Sequence, residues 1–114
     1  MTDKELLELA AKAMKATRDP KFMNFETIDD TCICLELGCK RGAITSYWKP
    51  LTDDGDALRL AVKLDMAVSI LKGITYVRWG AEIPEIIEIH CEDPYAATRR
   101  AIVRAAAEIG KGMK

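Results

Sequence analysis

The chain reads as an α+β layered sandwich, with three helices packed on a mainly antiparallel β-sheet in the order α-β(β)-α-β-β-β-α. Three observations predict this. Apolar residues recur at helical spacing in residues 2–17, 52–64 and 93–110, each time behind a helix start signal. Residues 31–37, 74–79 and 85–91 instead alternate along the chain as half-buried strands do. Short turn-like segments join these stretches, with no repeat, low-complexity tract or linker.

Thr2 and Glu5 form a capping box, TDKE, ahead of the first helix. Its apolar face is Leu6, Leu9, Ala10 and Ala13, with Leu7 and Met14 alongside, and Glu8–Lys12 is a favourable i,i+4 pair. Asp19-Pro20 cannot continue the helix, so it ends near Thr17. Residues 18–27 read as irregular, with Phe22, Met23 and Phe25 as anchors to the core. In TCICLEL, Ile33, Leu35 and Leu37 share one strand face, and Cys32, Cys34 and Glu36 the other. A turn around Gly38 to Ser46 leads into a return strand over 43–48.

Pro50 keeps Lys49 out of the helical region, which makes Thr52 the expected N-cap of the second helix. Asp53, Asp54 and Asp56 then suit the positive pole of its first turn. Ala57, Leu60, Ala61 and Leu64 form one face, widened by Leu58 and Val62, while Arg59 and Lys63 lie opposite. The DDGD run invites a calcium loop. A loop beginning at Asp53 would need Gly at its sixth position and Glu at its twelfth, where Leu58 and Leu64 stand. The helix start is the better reading.

Residues 67–71 are a short apolar run, Lys72-Gly73 a two-residue turn, and ITYVRW an alternating strand ended by Gly80. In EIIEIHC, Ile87, Ile89 and Cys91 face one way, and Ile86, Glu88 and His90 the other. Asp93 as N-cap and Pro94 at the first position open the last helix. Tyr95, Thr98, Ile102, Ala105 and Ile109 line up as its buried face, the alanines allow close approach to the sheet, and Gly110 or Gly112 closes it.

WKPLTDDGDALRLAVKL, DPYAATRRAIVRAAAEIGKGMK and the opening MTDKELLELAAKA resemble blocks of small tailed-phage and prophage proteins, the phage ABA sandwich domain family. The blocks cover roughly half of the chain, and residues 18–46 and 65–92 depart from them. The resemblance implies helices packed on a β-sheet and a phage origin. It implies no activity and brings no catalytic residues.

The 114 residues suit one domain, and 49% hydrophobic with 31% charged residues is ordinary globular composition. A net charge of −1, from 17 basic and 18 acidic residues, argues against a general nucleic-acid or membrane-surface binder. No apolar run reaches the ~18 residues of a membrane span, and no signal-peptide core opens the chain. Four cysteines without an export signal read as reduced thiols in a cytoplasm, which for a phage protein is the host's.

Three groups of residues could carry chemistry. Cys32, Cys34, Cys39, His90 and Cys91 offer enough ligands for zinc, but contain no CxxC knuckle; structural thiols are the expectation, with no metal and no cofactor. Whether these five meet in space is not legible in the sequence. A cysteine-dependent enzyme using Cys34 or Cys91 beside His90 is one alternative. The carboxylates Glu82, Glu85, Glu88, Glu92, Asp29 and Asp30 read as a solvated face. Arg99, Arg100 and Arg104 cluster on the polar side of the last helix and could hold a phosphate or carboxylate, although nearby acids can neutralise them. The second half also resembles double-stranded-RNA-binding modules in its α-β-β-β-α order, but lacks their basic cluster.

The expected function is a non-enzymatic accessory protein that binds a host protein as an inhibitor or anti-defence factor. The alternatives are sequestration of a small phosphorylated ligand, or nucleic-acid binding, through Arg99, Arg100 and Arg104. A second copy of the chain is a further partner class. An exposed apolar patch within 18–46 or 65–80 would favour a protein partner, and an enclosed polar pocket near Arg99 and Arg104 a small ligand.

Overall fold

The computed structural model describes residues 2–23, 25–30, 32–37, 44–80 and 85–112. Three helices and six strands follow in the order α1 (Asp3–Ala16), β1 (Phe25–Thr27), β2 (Ile33–Leu37), β3 (Ile44–Trp48), α2 (Asp54–Lys63), β4 (Ala67–Leu71), β5 (Ile74–Arg78), β6 (Glu85–Ile89) and α3 (Pro94–Lys111). The α+β class and the alternation of helices and strands are as the sequence predicts. The strands divide between two antiparallel three-stranded meanders, β1-β2-β3 and β4-β5-β6. Segment 18–27 reads as irregular in the sequence, but its described residues hold a 3-10 turn, Pro20–Phe22, and the short strand β1.

The caps explain the helix boundaries. Thr2 accepts from the Glu5 amide at 3.2 Å, as the capping box requires. The second helix starts one residue later than expected. Asp53, not Thr52, is the N-cap and accepts from the Asp56 amide at 2.8 Å, while Thr52 belongs to the turn closed on the Lys49 carbonyl. A carboxylate on the helix's positive end is favoured over a hydroxyl. At the other end, the Met66 amide reaches the Ala61 carbonyl and the Asp65 amide that of Val62, a Schellman closure with Asp65 at φ 54°. Asp93 caps α3 through the amides of Tyr95 and Ala96, and Gly112 ends it.

One core cluster joins all layers. Leu6, Leu7, Ala10, Ala11 and Met14 of α1 meet Leu60 and Ala61 of α2, Ile33, Leu35 and Trp48 of the first sheet, Val77 of the second, and Ala101, Ile102, Val103 and Ala105 to Ala107 of α3. Phe22 stands edge-on to Trp48 with ring centroids 4.9 Å apart, so it is an anchor, as is the partly buried Phe25; Met23 is exposed and anchors nothing.

Helices α1 and α3 run side by side in the same direction: Asp3 pairs with Arg100, and the Leu9 backbone lies against Gly110. A Cβ on Gly110 would collide with the Leu9 carbonyl oxygen. This glycine therefore closes no helix; it sits inside α3 and lets α1 approach. The alanines serve the same helix-to-helix contact as well as the sheet.

Several helix-face assignments change. Leu58 and Val62 do not widen the buried face of α2, being 63% and 68% exposed, and Leu64 is only half-buried. Tyr95 is 68% exposed, in the first turn of α3. Helical spacing puts Leu58, Val62 and Tyr95 on buried faces, but no neighbour among the described residues covers them, whereas Leu64 packs against the edge of the core.

Candidate functional site

The three arginines do not form one anion site. Arg99 donates through Nε to the Leu51 carbonyl at 2.9 Å and pairs with Asp54 at 2.5 Å, tying α3 to the start of α2. Arg100 reaches Asp3 of α1 at 2.9 Å. Arg104 makes a short pair with Glu88 and donates to the Ile87 carbonyl at 3.3 Å, fastening α3 to β6. Each guanidinium thus holds a different element. Among the described residues, Glu88 is the one acid of the stretch just before this helix that pairs with these arginines. Arg59 on α2 is held by Asp56 and Asp53, and the Asp56 hydrogen bond raises its pKa above the ordinary value.

The cysteines and the histidine also separate. Cys32 and Cys34 are half-buried at the start of and within β2, whereas His90 and the exposed Cys91 follow β6 in the other sheet. Cys39 and Glu82 lie outside the described residues. Among the described residues no three His, Cys, Asp or Glu side chains cluster as metal ligands. His90 is engaged by hydroxyls. Thr98 donates to the Pro94 carbonyl at 2.8 Å, so the 2.9 Å contact between Thr75 and Thr98 has Thr75 as donor. The Thr75 oxygen then accepts from His90 Nε2 at 2.5 Å, which places a proton on that nitrogen. Thr75 is fully buried, and this chain satisfies it. Nothing in the sequence marked it; alternation alone put it on the same face as Val77.

The features left unabsorbed are apolar. The β4-β5-β6 sheet lays one face on α3 through Thr75, Val77, Ile86, Glu88 and His90. The opposite face carries Leu71, Ile74, Tyr76, Ile87 and Ile89, and the strand register aligns Leu71, Ile74 and Ile89 in one row. Leu71, Ile87 and Ile89 are 52%, 50% and 70% exposed. Arg78 lies over Tyr76, 5.5 Å from the ring centre, and pairs with Glu85, so the far end of this face is polar.

Around the edge of the same sheet runs an open groove of about 650 Å³ between β4, α2 and the first turns of α3. Val68, Ile70, Leu58, Tyr95 and Ile102 supply its apolar lining, and the Arg99–Asp54 pair lies at its side. It is neither enclosed nor polar. No helix among the described residues is long and apolar enough to cross a membrane.

The chain matches no protein-family model, and no curated protein or solved structure is significantly similar to it.

Proposed function

We propose that this protein is a non-enzymatic binding protein whose partner is another protein, docked on the outer face of the β4-β5-β6 sheet. The observation that carries this is the row of Leu71, Ile74 and Ile89 beside Ile87, with Leu71, Ile87 and Ile89 exposed and Ile74 partly so, on a face that no helix among the described residues covers. Single exposed hydrophobes are ordinary, but a contiguous row on one sheet face is the usual mark of an interaction surface. Part of it falls in residues 65–80, where the chain departs from the phage-like blocks. The resemblance of those blocks supports a bacterial host protein as the partner, bound in the host cytoplasm to inhibit it or to block a defence. Sequestering an anion through Arg99, Arg100 and Arg104 would first require releasing them from Asp54, Asp3 and Glu88, which makes it the weaker reading.

The test is capture of host proteins by the immobilised chain, compared with an Ile87→Asp, Ile89→Asp variant. A partner held by the native chain and lost by the variant, at unchanged melting temperature, supports the proposal. A nucleotide or RNA ligand lost on Arg104→Ala, with steep salt dependence, would replace it.

A further inference from the structure

The free edge of β4 has the hydrogen-bonding phase, the composition and the end charges of a strand that pairs with itself. The phase follows from two contacts. His90 donates its amide to the Gly73 carbonyl at 2.9 Å, so in β5 the odd-numbered backbone groups point to β6 and the even-numbered ones to β4. Register then assigns Ala67, Ser69 and Leu71, opposite Arg78, Tyr76 and Ile74, to the ladder with β5. The amides and carbonyls of Val68 and Ile70 point outward, along an edge that pairs with no strand among the described residues.

Edge strands usually carry a charge, a proline, a bulge or a cover that blocks association. The β6 edge of this sheet has Glu85 and Glu88, and β1 in the other sheet is only three residues long. Strand β4, AVSIL, has none of these devices among the described residues: its register is continuous, and the groove leaves Ile70 62% exposed.

We propose that two copies of this chain associate through β4, antiparallel about Ser69, to make one six-stranded sheet. In that register Val68 of one copy stands opposite Ile70 of the other, and the same pair recurs across the two-fold axis. The four outward groups of each copy are then satisfied by four inter-chain hydrogen bonds. The arrangement brings the Asp65 end of one β4 to the Lys72 end of the other, twice by symmetry. Both residues are exposed and neither forms an ion pair within the described chain. Charge complementarity therefore selects the antiparallel pairing; a parallel one would set like ends together. A stable interface needs about 1,000 Å² or more of buried surface, which one short strand does not supply. Leu58 and Tyr95, 63% and 68% exposed on the groove walls, extend the contact. The dimer also doubles the outer sheet face, and it stands whether or not that face binds a host protein.

Sedimentation equilibrium of the full chain in the micromolar range tests this. The expected species is a dimer, and a monomer throughout that range would overturn the proposal. Ile70→Pro removes an outward amide and leaves the ladder to β5 intact, so it should give a folded monomer with an unchanged circular-dichroism spectrum. Persistence of the dimer in that folded variant would rule out pairing through β4. Lys72→Glu should weaken association about tenfold and Asp65→Lys should restore it. Ser69→Cys, at the two-fold axis, should form an inter-chain disulfide under mild oxidation where Ala67→Cys does not; equal crosslinking by both would overturn the register.

Discussion

Helix α3 meets its neighbours in two different ways. Against α1 it presents small residues along one line: Val103, Ala107 and Gly110 follow Arg100 at helical spacing, and the Leu9 carbonyl lies where a Gly110 side chain would be. Toward α2 and β4, its first turns carry Tyr95 and Ile102, and the neighbours stand off to leave an open groove. The first contact is closed by the absence of side chains. In the second, Ile102 is buried at the floor of the groove while Tyr95, just as large, stands 68% exposed. One helix can therefore bury Ala101, Ala105 and Gly110 and still leave a large aromatic side chain in solvent. Coverage by neighbours decides burial, and composition does not.

The sharpest way to break this contrast is to fill the closed side. Gly110→Val places branched carbons against a backbone carbonyl that cannot move aside, and should cost about 4–5 kcal/mol. A thermal or urea melt close to that of the native chain would show that α1 and α3 are not so tightly apposed. Leu60→Ala comes next. Leu60 is fully buried where α2 joins the core, so its truncation should cost about 3 kcal/mol.

Exposed positions on either side should respond far less. Arg100→Ala removes a half-exposed pair with Asp3 that ties the start of α1 to α3, and should cost ~0–1 kcal/mol, less in high salt. Leu58→Ala, two residues from Leu60 but on the exposed side, should stay within ~0.5 kcal/mol. Equal melting temperatures for Leu58→Ala and Leu60→Ala would refute the assignment of inner and outer faces. An increase in solubility on Leu58→Ala, with stability unchanged, would sharpen it.

Much of the fold was legible because its signals are local. The TDKE box, the Asp93-Pro94 start and the Lys72-Gly73 turn act over three or four residues, and each appears in the structure where the sequence puts it. Alternation gave the phases of β5 and β6 correctly, including the shared face of Thr75 and Val77. The candidate site was less legible. The sequence grouped Arg99, Arg100 and Arg104 by their common helix, yet each pairs with a different element, because side chains of one helical surface diverge toward whichever neighbours surround it.

What the sequence alone determined, then, is the order of the three helices and of the strands other than β1, and the starts of α1 and α3. Caps, turns and side-chain periodicity are set by backbone geometry over a few residues. Only the tertiary structure decided that the strands form two sheets, that the Ile87 and Ile89 face is the open one, and that Gly110 serves helix contact rather than helix ending. Those outcomes depend on hydrogen bonds and packing between segments tens of residues apart. No local pattern encodes which of two apolar faces a distant helix will cover.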